Sequence, residues 1–482
     1  MGYEHGVRVQ ENPTTVPAPV SSNAGVPVVF GTSPVNLAAD VAAAVNKPVL
    51  CNTFAEAKAK LGYSDDYDNF TLCQAMDAFF KVFAVGPVVF VNVLDPATHK
   101  TAIAAISDAS LTDGVYKIDQ TGMILSSIVV KDHSDSSTLV LDTDYTLAFD
   151  SEEKVIVTVT KASVTSIDIT GNKINASAVV AADVVGSIDA NDKASGIEVI
   201  RDVYPVTGRF PSLILAPGWS QNATVGQALA LKCEDINGSW KCECVVDLSS
   251  ASGGALKVAD VATKKAAAGY TNPHTIIVWP MVMYAGKKVY MSAMYAAMAT
   301  YTDINNDNVP SLSPSNRPLR VAGACLADGT EINLDKVSAN TVNAAGVVTV
   351  INLNGFKAWG NNTAAYPDVT DPKDRWIACR RFFSWWGNTF IETYLEKVDN
   401  PANYRLIESI VDSENVRGNA LVSMQKCAGI RMEYRPEDNP VANVIDGKIR
   451  FRQYLAPYTP AEDILNILEF DPSMIEAALG GE

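Results

Sequence analysis

Four histidines, His5, His99, His133 and His274, and eight cysteines are the residues of this 482-residue chain from which hydrolytic, redox or metal chemistry could be built. A serine hydrolase needs a nucleophile, a histidine base, an orienting carboxylate and an oxyanion hole. His5 lies in a proline-punctuated N-terminal stretch and His133 among short β-prone runs. His99 follows DPAT in a turn, and His274, in NPHTIIVW, starts a strand pattern. No G-x-S-x-G context accompanies any of them, and GTSP at 31–34 supplies a serine in letters only. Cys233, Cys242 and Cys244 form the one cysteine cluster, but a C-x-C without C-x₂-C spacing or a nearby histidine does not make a zinc site. In KCECVVDL, read as a strand, Cys242 and Cys244 share a face, and the scatter of the other five predicts reduced, buried thiols. DINNDN at 303–308 lacks the glycine and closing glutamate of a calcium loop. Gly253-Gly254 and Gly480-Gly481 have no phosphate-cradling spacing, and no Walker A or dinucleotide fingerprint occurs. The sequence thus assigns no catalytic residue, no metal ligand and no cofactor. Trp385 and Trp386 with Phe382, Phe383 and Phe390 read as core packing.

Composition narrows the class further. A net charge of −16 argues against a polyanionic partner, because nucleic-acid affinity rests on basic surface, so no direct nucleic-acid contact is expected. With 48% hydrophobic and 19% charged residues the chain is globular, and its length calls for two to four domains. No run approaches the roughly 18 apolar residues of a membrane helix, so membrane insertion is not expected. MGYEHG is neither a secretory leader nor a myristoylation signal, which predicts synthesis in a cytoplasm.

The elements that would position functional groups follow from periodicity. Residues 37–45 and 54–61 read as short helices, the second capped by Thr53, and 69–83 as a longer one, before the buried strand GPVVFVNVL. From residue 112 to about 186 the runs VYKI, SSIVV, STLVL, YTLAF, KVIVTVT, SIDI and SAVV predict a small all-β module. Strands and helices alternate afterwards, SLILAPG, NATVGQALALKCEDI, KCECVVDLS, KVADVATKKAAAGY and TIIVWPMV, which predicts a largely parallel sheet, followed by a buried helix over 290–305. Beyond residue 371 the expectation is α+β: a strand RWIACRRF, helices over 383–398, 404–411 and 414–428, and strands IRMEYRP and KIRFRQYLAP.

Both ends depart from globular texture. Residues 2–36 are extended and carry Pro13, Pro17, Pro19 and Pro27, which exclude a helix, while Val7 and Val9 alternate as in a strand lying on a partner. At the other end Ile464, Leu465, Ile467, Leu468 and Phe470 are too apolar for a free tail. Two such arms imply strand addition to neighbouring copies, with Val7, Val9, Val16 and those five residues as intersubunit contacts. Arg380, Arg381, Arg431, Arg435, Arg450 and Arg452 are expected to form a cationic surface, with Arg450 and Arg452 on one strand face as intersubunit charge contacts.

AGVPVVFGTSPVN at 24–36, FPSLILAPGW at 210–219, SPSNRPLRVAG at 313–323, FKAWGNNT at 356–363 and RWIACRRFFSWW at 375–386 occur in the order seen in contractile-tail sheath proteins. The chain resembles that family, which includes sheaths of bacteriophage tails, R-type bacteriocins and related contractile injection systems; residues 100–190 stand outside the resemblance. The resemblance implies a multidomain α/β and α+β protein with a subtilisin-like α/β core lacking protease chemistry. It divides the chain into an N-terminal linking arm (1–25), an N-terminal α/β part of the core (26–100), an inserted, peripheral all-β domain (101–190), the remaining core (191–370), a C-terminal α+β domain (371–460) and a C-terminal linking arm (461–482). It further implies a helical or stacked-ring homopolymer of hexameric rings around an inner tail tube protein, joined to baseplate and tail terminator proteins in a virion tail or bacteriocin particle. A capsid or surface-layer protein is the structural alternative, and a degenerate hydrolase the enzymatic one.

Overall fold

A computed structural model describes residues 25–480. Its centre is an eight-stranded sheet built from Val26–Gly31 (β1), Val49–Cys51 (β2), Val88–Asn92 (β3), Pro211–Leu215 (β4), Glu243–Asp247 (β5), Thr275–Val278 (β6), Val347–Asn352 (β7) and Phe356–Trp359 (β8). The spatial order is β2-β3-β1-β4-β5-β6-β7-β8. β3 through β7 pair in parallel, and the two edge strands are antiparallel to their neighbours. Every residue of β1, β3 and β5 is buried, as expected when helices cover both faces of a parallel sheet. The covering helices include Thr71–Met76 (α1), continued as a wider turn to Val82, Ala223–Glu234 (α2) and Met291–Ile304 (α3). α3 is lined with Ala and Met, small or adaptable side chains that allow close approach to β4 and β5. Phe54–Leu61 is helical with Thr53 accepting from the Glu56 N–H, the cap its sequence predicts.

Residues 103–169 supply a second hydrophobic cluster of their own, centred on Ile118, Met123, Val130, Val155, Val157, Ile167 and Ile169. Two three-stranded sheets surround it: 106–110 with 166–170 and 129–132, and 115–118 with 155–159 and 145–149. Two expected strands fail to form. Residues 137–141 make isolated bridges and turns, and 176–178 form a 3₁₀ turn leading into a short helix at Ala181–Val185. In both, β-prone side chains lack a partner strand in register, and ladder pairing, not propensity, makes a strand.

The C-terminal region corrects two sequence expectations. Residues 377–382 of RWIACRRF are helical, the start of Ile377–Tyr394 (α4), and only Trp376 before them is extended. The two helices expected over 404–411 and 414–428 are one, Tyr404–Ser423 (α5), because Ser413 and Glu414 are buried rather than breaking it. Only Cys427–Tyr434 (β9) and Phe451–Pro457 (β10) are strands here, paired antiparallel. α4 owes its helical form to long-range partners arrayed on one face. Arg381, Ser384 and Asn388 follow i, i+3, i+7 spacing and bond, respectively, to Asp303, to Glu243 (2.6 Å) and to both the N–H and C=O of Lys241 (3.0 and 2.6 Å). No local signal encodes those partners.

Candidate assembly surface

The two-stranded β9–β10 sheet is the part of this fold most suited to pairing with another chain. Among the described residues each strand pairs on one side only, and a two-stranded ribbon alone is marginal in water. α5 supports it. Asn415 donates to the Met432 C=O (3.1 Å) and accepts from its N–H (2.8 Å), and Gln453 donates to buried Glu414 (2.9 Å). Gly418 lets the helix approach so closely that a Cβ there would lie 2.8 Å from Ile430 Cβ. Along β10, Phe451, Gln453 and Leu455 are half-buried while Arg452, Tyr454 and Ala456 face outward. The edges of the large sheet, by contrast, are blunted. The loop 316–319 bonds along the outer side of β8 through Asn316, Arg317 and Leu319, and the Lys60 ammonium caps the Leu50 carbonyl of β2 at 2.8 Å.

The expected cationic surface does not form as a unit. Arg381 is 3% exposed and forks onto buried Asp303, and Arg380 is turned inward against Asp374 at 2.9 Å. Both belong to a helix, so the strand alternation that would expose them does not apply. Arg431 and Arg435 both reach Glu433, at 2.5 and 2.8 Å, and Arg452 forks onto Asp438, with Nη2 2.6 Å from Oδ1. That pairing holds the Asp438 carboxyl below its ordinary range. Arg450 is exposed, its backbone bonded to Asn439, and no ion pair of Arg450 occurs among the described residues.

Of the arm residues singled out by sequence, Val7, Val9 and Val16 lie outside the described residues, as does His5. Ile464, Leu465, Ile467, Leu468 and Phe470 are 84, 79, 72, 86 and 79% exposed, in a segment without regular structure. A short helix, Pro472–Ala478, follows, and Met474 and Leu479 are exposed as well. A run of this many uncovered large apolar side chains marks an interaction segment.

Chemistry is differently disposed. In a doubly wound sheet ligands enter the crevice at the carboxyl ends of strands where the order reverses, here between β1 and β4. Protein atoms fill it. Trp219 Nε1 donates to Thr71 Oγ1 (3.2 Å), and Gly218, at φ +81°, packs so tightly that a Cβ would lie 2.6 Å from Thr71 Cγ2. Thr32 and Ser33 of GTSP are fully buried there, bonded to Thr71 and Asn92. All eight cysteines are free and buried, and burial pushes the Cys51 and Cys73 thiols up to about 12, away from the reactive thiolate. Among the described residues no three His, Cys, Asp or Glu side chains converge as metal ligands. His274 contacts the Cys242 carbonyl at 3.0 Å, and exposed His133 contacts Asp168 at 2.8 Å.

Asp247, at the end of β5, is the buried carboxylate most like a catalytic group. It accepts from Ser292 N–H (3.0 Å), Ser292 Oγ (2.6 Å) and Ser220 Oγ (3.1 Å), with no described histidine in contact. Burial outweighs these bonds and raises its pKa from 3.8 to about 6. The folded state therefore binds this proton more tightly than the unfolded chain. The associated stability is fully present below pH 4 and disappears as pH rises through 6, leaving an ionisation cost on the order of 3 kcal/mol at neutral pH. Asp247→Asn is expected to raise the urea midpoint at pH 7.5 and to lose that advantage at pH 4. A pH-independent difference would show that Asp247 titrates normally.

No protein-family model matches the chain. Two curated relatives cover most of it: the tail sheath protein of Burkholderia phage BcepMu, 25% identical over 99% of both chains, and the tail sheath protein of Escherichia phage P2, 21% identical over 82% of this chain and 87% of that one. The fold matches a chain of the PVC extracellular contractile injection system sheath complex in its contracted state, with a TM-score of 0.58, 12% identity, 98% of this chain covered and 99% of the other. No described helix is long and apolar enough to cross a membrane.

Proposed function

We propose that this chain, a relative of contractile-tail sheath proteins along its whole length, is the subunit of a sheath that polymerises around an inner tube and shortens to drive the tube through a cell envelope. Similarity to two phage tail sheath proteins, over 99% and 82% of the chain, carries the reading, and the uncovered apolar C-terminal segment supports it. Each subunit presents β9–β10 as an acceptor sheet, and the arms of neighbouring copies add strands to it. The eight-stranded sheet acts as a subtilisin-like scaffold whose work is mechanical. Rings of six subunits stack or wind around the tube protein, end on baseplate and terminator proteins, and are assembled in the bacterial cytoplasm into a virion tail or bacteriocin particle. Heterologous contacts that do not close generate such a polymer. Arg450, without an ion pair among the described residues, is better placed than Arg452 for a charge contact across subunits; Arg452 would first have to leave Asp438.

Electron micrographs of the purified protein test this reading: long tubes are expected, and flat lattices or closed shells would assign it to surface layers or capsids instead.

Residues 103–169 act as a peripheral domain in this reading, since the cluster centred on Ile118, Val157 and Ile169 is separate from the main core, whereas Ile174, Val179 and Val184, expected within the same insert, pack into the main core. Replacing 103–170 by a short Gly/Ser linker is expected to leave tube yield within about twofold, a surface module contributing little beyond its own core. Unfolding of the shortened chain, seen by loss of its cooperative melt, would place the segment in the main core.

A further inference from the structure

The C-terminal arm does not leave the molecule directly from β10. Its root, Pro460–Ile464, crosses a groove of about 760 Å³ bounded by Ser313, Arg317, Lys336, Trp359 and Tyr366. Within the groove Glu462 accepts from Arg375 Nη2 at 3.2 Å and from Asn361 Nδ2 at 3.4 Å. Arg375 is prepared for this contact. Its guanidinium carbon lies 4.0 Å from the Trp376 ring centroid and 4.6 Å from that of Tyr366, and its Nε donates to Asn362 Oδ1 at 2.9 Å. Little freedom is lost when a carboxylate binds a guanidinium held so firmly. Yet the pair faces water, with side chains 24% and 38% exposed, so it is weak and reversible. Beyond it, the apolar residues from Ile464 to Phe470 are uncovered.

We propose that Glu462 and Arg375 form a clasp that stores slack in the arm root. The proposal rests on the arms linking subunits. With the clasp closed, the arm departs from Glu462. With it open, the last fixed point retreats to Tyr458, whose carbonyl accepts from Cys379 Sγ at 3.9 Å just beyond β10, and residues 459–462 add up to about 14 Å of reach. A linker that must stay attached while subunit cores change spacing needs such a reserve, and a surface ion pair releases it without disturbing either fold. Arg317 and Lys336 line the same groove, which makes the parked state sensitive to salt.

A spin label tests the clasp in the intact chain. Ala461→Cys places an exposed thiol beside Glu462, and the eight native cysteines are buried, so labelling is selective. A motionally restricted spectrum is expected at low salt, turning mobile in Glu462→Gln and in 1 M salt. In assembled tubes Glu462→Gln should leave yield within twofold and lower the urea concentration that triggers contraction. A label equally mobile with and without Glu462, or an unchanged contraction threshold, overturns the clasp. If removal of 464–482 leaves assembly intact, the linking role of the arm itself is wrong, whatever the label shows.

Discussion

Removal of residues 464–482 is expected to yield a soluble, cooperatively folding subunit that no longer forms long tubes, a loss of assembly rather than of stability. The described part of the deleted segment contributes nothing to the buried clusters, the five large apolar residues from Ile464 to Phe470 being 72–86% exposed. Covering such side chains against a neighbour is worth roughly 1.5–3 kcal/mol each, so about 7–15 kcal/mol per subunit disappears with the arm, before the cost of ordering it is subtracted. Even the remainder shifts the polymerisation equilibrium by several powers of ten. Deleting Met1 to Pro19, whose alternating Val7 and Val9 suit strand pairing, is expected to act in the same direction. Sedimentation and electron microscopy of the two truncated proteins check this, and normal tubes from both would refute the linking role of the arms.

Arg381→Ala should be the most damaging point change in the body of the subunit, costing about 3–5 kcal/mol, because it strands the Asp303 carboxylate in the interior. Asp303 and Arg381 are each 3% exposed, and the guanidinium forks onto both carboxylate oxygens, with Nη1 at 3.3 Å from Oδ1. The pair joins α3 of the core to α4. The double variant Arg381→Met with Asp303→Leu is expected to recover most of the loss, since no unpaired charge remains. Urea unfolding of the two single variants and the double one measures the coupling. A loss under 1 kcal/mol in Arg381→Ala would mean that water or another cation reaches Asp303.

The same pair shows where local reading stopped. RWIACRRF carries Trp, Ile, Cys and Phe, which favour strands, and the segment was expected to be one. Its helical form depends on Arg381 meeting Asp303, Ser384 meeting Glu243 and Asn388 meeting Lys241, contacts that span 78, 141 and 147 residues. Arg380 and Arg381 went inward for that reason, and Arg431, Arg435 and Arg452 found carboxylates on Glu433 and Asp438 that strand alternation alone does not reveal.

What the sequence by itself determined were features written over a few residues or over one period. The buried β1 and β3 are largely apolar runs, Thr53 announces its helix, α3 is rich in Ala and Met, and the arm from Ile464 to Phe470 is apolar where no core could hold it. In each, the nearest neighbours in the chain suffice to set backbone propensity or partitioning from water. Tertiary structure alone decided which charges are buried in pairs, that Thr71 and Trp219 fill the crevice between β1 and β4, and that Glu462 parks on Arg375 before the arm leaves. Those outcomes depend on the geometry of residues brought together across 78, 148 and 87 positions, where the cost of desolvating a polar group is decided by whether a partner arrives.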